Sequence, residues 1–558
     1  MTSYRTPIDE MRFVLQEVIG IEDVLQLERF GGIGPDLVDA VLHEAANFVE
    51  QKLAPLNRSG DQQGARCIDN TVQMPDGFAD AYRDFVANGW NAIAFDPEYG
   101  GQGLPHLVSA AVSEMISGAN MAFGLCPLLT QGAVELLGHY GTAAQKKAYL
   151  SHLIAGTWTG TMCLTEPQAG SDLGAIATHA TPQGDHYHIK GQKIFITYGE
   201  HDMAENIIHM VLARMDGAPE GSRGISLFIV PKYLADGKRN DVKALSIEHK
   251  LGIHASPTCV MAFGEQDACV GYLVGEAHAG LKYMFTMMNH ARLAVGIEGI
   301  GVAAYALQLA EDYAQERKQM GVTIASHPDV KRMLLSIRSQ VEANRALAYL
   351  TAKAMDMAKY HPEAAIRRHY AALVSFLIPV VKAHATQTGF DGCSEAIQIF
   401  GGIGYTEEMG VAQCLRDIRI TMIYEGTNGI QAQDLVMRKL LADNGAAVVA
   451  VIQEMEQMLA RITHPWPMLD TAWKGFKHAT QQMQQLSVAN PAHAKYLAHD
   501  YLKLCGIILG GIVLSLEESA IKNSDILSRE SKVLKQETIL YYMHYLLPQT
   551  QYLCDFFK

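Results

Sequence analysis

Glu425 is preceded by Met422-Ile423-Tyr424 and followed by Gly426, which places a carboxylate in apolar company. Loss of water raises a carboxyl pKa toward neutrality, which suits a general base. A solvated glutamate in a Glu-Gly-Thr turn would read the same way. A second segment, Met162-Cys-Leu-Thr-Glu-Pro-Gln-Ala-Gly-Ser-Asp-Leu-Gly174, ends an apolar β run in a polar, glycine-bearing loop. Such a junction offers N–H groups and hydroxyls to a ligand. In Lys193-Ile-Phe-Ile-Thr-Tyr198, Phe195 and Thr197 share one face of a strand, so one can stack on a flat ring while the other bonds its edge. An ordinary half-buried strand fits that pattern too.

Other chemistries lose support. Gly299-Ile-Gly301-Val-Ala-Ala304 matches the dinucleotide fingerprint formally, but it lies inside a long helical pattern with no strand before it, so close helix packing is expected. No P-loop or GxSxG motif occurs. The 22 histidines include no HExxH, and no metal is expected. The nine cysteines form no CxxC pair and read as reduced core thiols.

The elements that must position these residues fall into blocks. A chain of 558 residues exceeds one ordinary core, and 49% hydrophobic content describes a folded chain. A net charge of −14 makes nucleic acid a poor default partner. From Pro35, the residues Val38, Val41, Leu42, Ala45 and Val49 share a helical face, and similar patterns recur through 1–156, an N-terminal helical domain. Residues 157–275 turn to short β-rich runs separated by turn signals: a central antiparallel β domain, barrel or sandwich. Three long helical segments, 279–317, 327–358 and 364–400, make 276–440 a bundle, and 441–558 adds a further helical domain with 10 Lys+Arg against 11 Asp+Glu. The class is α+β, multidomain. The longest apolar run, Leu504 to Leu516, is too short to span a bilayer, and no signal peptide is visible, so a cytoplasmic protein is expected.

Five motifs stand in one order: Cys163-Leu-Thr-Glu-Pro-Gln-Ala-Gly-Ser-Asp172, Gly191-Gln-Lys-Ile-Phe-Ile-Thr197, Glu316-Arg-Lys-Gln319, Gln398-Ile-Phe-Gly-Gly-Ile-Gly404 and Tyr424-Glu-Gly-Thr427. Over about residues 35–440 the chain resembles the acyl-CoA dehydrogenase family in their order and spacing. The tail and the opening Asp9-Glu-Met-Arg-Phe-Val-Leu-Gln16 resemble a longer subgroup, whose substrates include 3-methylmercaptopropionyl-CoA. The resemblance implies an N-terminal helical domain, a central β domain and a C-terminal four-helix bundle, with FAD extended between domains and across a dimer interface. Thr165 and Thr197 would bond the flavin ring, Phe195 would pack against it, and Ser171 and Thr427 would add cofactor contacts. Arg317, Gln398, Gly401 and Gly402 would reach the adenosine-pyrophosphate half of a neighbouring subunit's FAD, where a guanidinium suits a pyrophosphate. Ser171, Asn289 and Arg292 would contact the CoA part of the substrate.

The implied reaction is α,β-dehydrogenation of an acyl-CoA, 3-methylmercaptopropionyl-CoA or a short- or medium-chain fatty acyl-CoA. Glu425 takes the α-proton and flavin N5 the β-hydride, while the Glu425 amide helps to bind the enolate-like oxygen. Members that carry the base elsewhere place it at the position of Ala291, which cannot serve, and Glu298 reads as a packing or surface residue. Phe195, Asn289 and Met320 depart from the usual tryptophan, acid and aromatic. The expected partners are an electron-transfer flavoprotein and a second copy of the chain, in a homodimer or dimer of dimers, within fatty-acid β-oxidation. Two other readings are an acyl-CoA oxidase using O2 and a flavin-bearing DNA-associated protein; the balanced tail charge argues against the second.

Overall fold

The computed structural model describes residues 3–557. They form two compact units. One comprises the stretch up to Gln51, Leu104–Ala119 and the chain from Arg292 onward; the other comprises Lys52–Gly103 and Asn120–Ala291.

Proline at the first turn opens helix α1, Pro35–Phe48, whose Val38, Leu42, Ala45 and Ala46 are buried. The apolar stretch that follows the glycine-rich loop Tyr99-Gly-Gly-Gln-Gly-Leu-Pro105 forms α2, His106–Tyr140. It is broken at Asn120, where φ is −162° and the side-chain oxygen accepts from the Phe123 N–H, capping the second segment as a helix N-cap does.

In the second unit the strands are β1 Trp158–Cys163, β2 His179–Gln183, β3 His186–Thr197, β4 Asn206–Met215, β5 Ile225–Pro231, β6 Val242–Ile247, β7 Thr258–Phe263 and β8 Val270–Leu273. They pair in the order β8-β5-β4-β2-β3-β7-β6, and β8 also pairs with β3, so five strands close on themselves. The core they wrap includes Val211, Ala213, Phe228, Val230, Ile189, Cys259 and Phe263. The sheet is mostly antiparallel, but β1 runs parallel to β4, with Trp158 opposite Asn206, and β2 also runs parallel to β4. That departs from a purely antiparallel domain. Three strands escape sequence reading: β2 is polar and carries Pro182, β8 has four residues, and β6 lacks clean alternation. A small hairpin, Arg66–Ile68 with Thr71–Gln73, also interrupts the helical N-terminal region.

The bundle is built on α3 Gly280–Glu316, α4 Pro328–Tyr360 and α5 Ala364–Phe400, close to the expected bounds. The Gly299–Gly301 segment packs helices. A Cβ at Gly299 would lie 2.9 Å from the Ala385 carbonyl oxygen, and one at Gly301 2.7 Å from that of Glu114. After α5 comes a short helix, α6, Asn428–Asp434. The tail adds α7 Ala446–Arg461, α8 Pro467–Ala489, α9 Pro491–Ile521 and α10 Arg529–Tyr541.

The run Leu504–Leu516 is buried throughout on α9. Within its 31-residue helix it reaches the length and mean hydropathy of a membrane span, as do three other helices among the described residues, so the thirteen-residue count understates it. In the fold 83% of that apolar window is buried inside the protein. The tail is also held by charge. The Lys535 ammonium meets Glu517 of α9 at 2.6 Å, Glu342 of α4 at 3.1 Å, and Glu10.

Candidate active site

Glu425 lies between a 3-10 turn, Arg419–Met422, and α6. The Thr427 hydroxyl accepts from the Ile430 N–H at 3.2 Å and so caps α6, which fixes where the preceding turn ends. Glu425 (φ 55°) and Gly426 (φ 87°) are both left-handed. For a non-glycine residue this conformation costs about 1–3 kcal/mol and persists only where its surroundings impose it.

The surroundings here are three side chains. Gln431 Nε2 donates to the Glu425 carbonyl at 3.0 Å and to the Gly426 carbonyl at 3.3 Å. Arg292 Nε of α3 donates to the Glu425 carbonyl at 3.3 Å. Lys382 Nζ of α5 donates to the Gly426 carbonyl at 2.8 Å and to Asn428 Oδ1 at 3.0 Å. With the carbonyls taken, the Glu425 amide N–H is left without a protein acceptor among the described residues.

The Glu425 carboxyl is half-buried. Burial pushes it up to about 7, against the pull of Arg292 and Lys382, so at neutral pH it is a carboxylate ready to accept a proton for much of the time. Glu298 of α3 is not a surface residue: it is 2% exposed, accepts a hydrogen bond from the Tyr424 hydroxyl, and is pushed up to about 8 by burial. Lys382 is fully buried, and that burial pushes it down to about 7 although Glu425 pulls the other way.

Arg292 is 4% exposed; besides the Glu425 carbonyl it faces Asp434 at 3.7 Å, so it is engaged with the Glu425 turn and the end of α6. Asn289, one turn earlier on α3, is half-buried, and Ser171 is exposed on the loop after β1.

In the β unit, Thr165, Phe195 and Thr197 come together. The Ile194 N–H donates to the Thr165 carbonyl at 2.9 Å, and Lys193, fully buried, reaches the Leu164 carbonyl at 2.9 Å and Glu166 at 2.7 Å. Burial opposes ionisation of Glu166, but Lys193 and two backbone N–H groups hold its pKa at about 2. This brace fixes the end of β1 against β3.

Between Lys193 and Ile196 the register of β3 slips, and Phe195, at φ 59°, turns its ring outward to 59% exposure. Such bulges re-aim side chains next to sites. Among the described residues the Thr165 and Thr197 hydroxyls, both half-buried, have no protein partner. An exposed aromatic face beside two free hydroxyls suits a flat heteroaromatic ring.

At the far end of the bundle, Tyr313 stacks on Phe400 with ring centres 4.3 Å apart, which joins the ends of α3 and α5. Arg317, exposed and without a carboxylate partner among the described residues, follows α3; Gln398 lies in the last turn of α5, which ends at Phe400, and is exposed. Gly401 (φ 67°) and Gly402 follow it, and a Cβ on either would meet nothing within 4 Å. This open glycine turn with an unpaired guanidinium suits an anionic pyrophosphate.

Sequence reasoning missed Lys382, Gln431 and the pairing of Glu298 with Tyr424. The available signals were a lone lysine in Phe376-Leu-Ile-Pro-Val-Val-Lys382 and a lone acid in Leu293-Ala-Val-Gly-Ile-Glu298.

Three family descriptions match the chain: the N-terminal domain of acyl-CoA dehydrogenases at residues 30–157, the middle domain at 161–265 and the C-terminal domain at 278–440. The chain is 44% identical over 512 residues to the 3-methylmercaptopropionyl-CoA dehydrogenase of Ruegeria pomeroyi, covering 89% of this chain and 85% of that protein. It is 33% identical over 539 residues to a butyryl-CoA dehydrogenase of Syntrophomonas wolfei, covering 91% and 88%. A solved structure of an acyl-CoA dehydrogenase from Bacillus anthracis, complexed with FAD, shares the fold at TM-score 0.76, with 21% identity over 97% of this chain and 90% of that one.

Proposed function

The chain belongs to the acyl-CoA dehydrogenase family, and from that footing we propose that Glu425 is the base that removes the α-proton of the bound acyl thioester. The enzyme is an FAD-dependent acyl-CoA dehydrogenase that converts an acyl-CoA to its 2-enoyl-CoA. The observation that carries the assignment is a carboxyl pushed up to about 7 in a left-handed turn whose carbonyls are all held.

As the α-proton leaves, negative charge grows on the thioester oxygen, and the unengaged Glu425 N–H is available to bond it. Thr165 and Thr197 offer hydroxyls to the edge of the flavin, Phe195 packs on it, and Ser171 and Thr427 lie on loops that contribute further contacts. Arg317, Gln398, Gly401 and Gly402 suit the pyrophosphate half. Ser171 and Asn289 serve the CoA end; Arg292 serves through its hold on the Glu425 carbonyl. Bound FAD supplies the acceptor for the β-hydride.

For the substrate we take a short acyl thioester of the 3-methylmercaptopropionyl type, supported by 44% identity to the Ruegeria pomeroyi enzyme along most of the chain. An electron-transfer flavoprotein takes the electrons, the enzyme works in the cytoplasm as a homodimer, and the pathway is fatty-acid β-oxidation or its sulfur-containing counterpart. The nine free thiols support a reducing compartment.

The test is a panel of short, branched and sulfur-containing acyl-CoAs scored by anaerobic bleaching of the flavin. The 3-methylmercapto substrate should bleach the wild type fastest. Glu425→Gln should bleach with none of the panel, and a normally bleaching variant removes Glu425 from its role. Timed reoxidation in air separates a dehydrogenase, slow to reoxidise, from an oxidase.

A further inference from the structure

We propose that Lys382 is a positioning residue for the base: its ammonium pins the Gly426 carbonyl and the Asn428 amide oxygen, holding Glu425 in its left-handed turn and setting a positive charge beside it. This rests on the reading of Glu425 as the base and adds how the base is kept in place and ionised.

A neutral donor would satisfy the same carbonyl. Gln431 already donates to the Gly426 oxygen at 3.3 Å and to the Glu425 oxygen at 3.0 Å, so hydrogen bonding alone gives no reason for a fully buried ammonium here. Moreover, among the described residues Lys382 touches no carboxylate within the 4 Å of an ion pair; both its hydrogen bonds go to neutral oxygens. The charge is therefore left to act through space. A nearby cation favours the ionised form of a carboxyl group.

The groups that face this spot come from four elements. From α3 come Arg292 and Glu298; from the turn, Tyr424 and Glu425; from α6, Asn428 and Asp434, with Arg438 and Lys439 beyond. Thr386 of α5 bonds Asn428 Oδ1 at 3.2 Å and keeps that acceptor turned toward Lys382. Arg292 spends its charge partly on Asp434, which leaves Lys382 as the buried cation near Glu425 that has no carboxylate of its own.

The experiment compares Lys382→Met, Lys382→Gln and Lys382→Arg holoenzymes by kcat and KM across pH. In Lys382→Met the acid limb of kcat should move up by about one pH unit, as loss of a neighbouring opposite charge dictates, and the plateau should fall roughly 10–100-fold with KM little changed. Lys382→Gln keeps a donor without charge, so the limb should move while most of the plateau returns. Lys382→Arg should keep the limb where it is.

A limb that stays put in both Lys382→Met and Lys382→Gln overturns the proposal. So does recovery of both variants as flavin-free or unfolded protein, since Lys382 would then act in folding. Glu425→Gln is measured alongside: if it is active, the base assignment fails, whereas an inactive Glu425→Gln with unmoved Lys382 limbs removes the role of Lys382 alone.

Discussion

Two of the lysines that the helical unit buries, Lys535 and Lys382, lie among acids with opposite results. At the tail, Lys535 meets Glu10, Glu342 and Glu517 in direct ion pairs, and despite burial those acids hold its pKa well above the ordinary lysine range. Near the Glu425 turn, Lys382 bonds only neutral oxygens among the described residues, and burial pushes it down to about 7, level with Glu425. Burial is common to both; the partner atoms differ. Touching carboxylates turn a buried ammonium into a fixed clamp, because losing either proton or partner strands a charge in a poor solvent. Withholding that contact leaves charges that can change near neutral pH, which proton chemistry requires and a structural clamp must avoid.

If the two clusters divide labour this way, removing one group from each should affect different quantities. The largest effect is expected for Glu425→Gln: turnover lower by roughly 10²–10⁴-fold or more, with flavin colour and thermal midpoint retained. Stopped-flow flavin reduction and a melting curve read both. A comparable loss in thermal midpoint would erase the distinction.

Next comes Lys535→Met, which leaves two buried carboxylates, Glu342 and Glu517, and the half-buried Glu10 without the ammonium they share. Breaking a buried pair costs about 3–5 kcal/mol, read as a shift in denaturant midpoint, while kcat per folded molecule should stay near wild type. Unchanged stability would mean that the clamp is ornamental.

Glu298 sharpens the comparison through pH. Its folded pKa of about 8 lies above the ordinary value, so the folded state keeps a proton that the unfolded chain has lost. Stability from this group is therefore present at acid pH and is lost as pH rises toward 8. Glu298→Gln removes that slope, and its melting temperature should gain on the wild type as pH rises from 5 to 8, by an amount measured in scanning calorimetry. A constant difference across pH would show Glu298 to be ionised in the fold.

The smallest effect is expected for Thr427→Ala, which deletes the cap of α6 at a cost of about 1 kcal/mol, visible as faster amide exchange in α6, with Thr427→Ser restoring protection.

Much of this organisation could be read along the chain. The three long helices, the barrel's central strands, and the packing role of Gly299 and Gly301 follow from local periodicity, and the apolar flank Met422-Ile423-Tyr424 pointed to a raised carboxyl at Glu425. Such signals survive in sequence because each depends on neighbours within a turn or a strand. Beside Phe195, the pattern of alternating residues gave no sign of the register slip that turns the ring outward, since the partner strand β7 decides it.

What the amino-acid order determined alone, then, is which segments become helix or strand, which residue types stand ready for proton transfer and flavin contact, and which family motifs they share. The tertiary structure decided which charges touch. Lys535 finds Glu10 across 525 positions, and Lys382 reaches Gly426 across 44, from a helix pattern that marked it only as a lysine among apolar residues. Electrostatic energy depends on separation and burial in space, and neither is encoded by any local spacing.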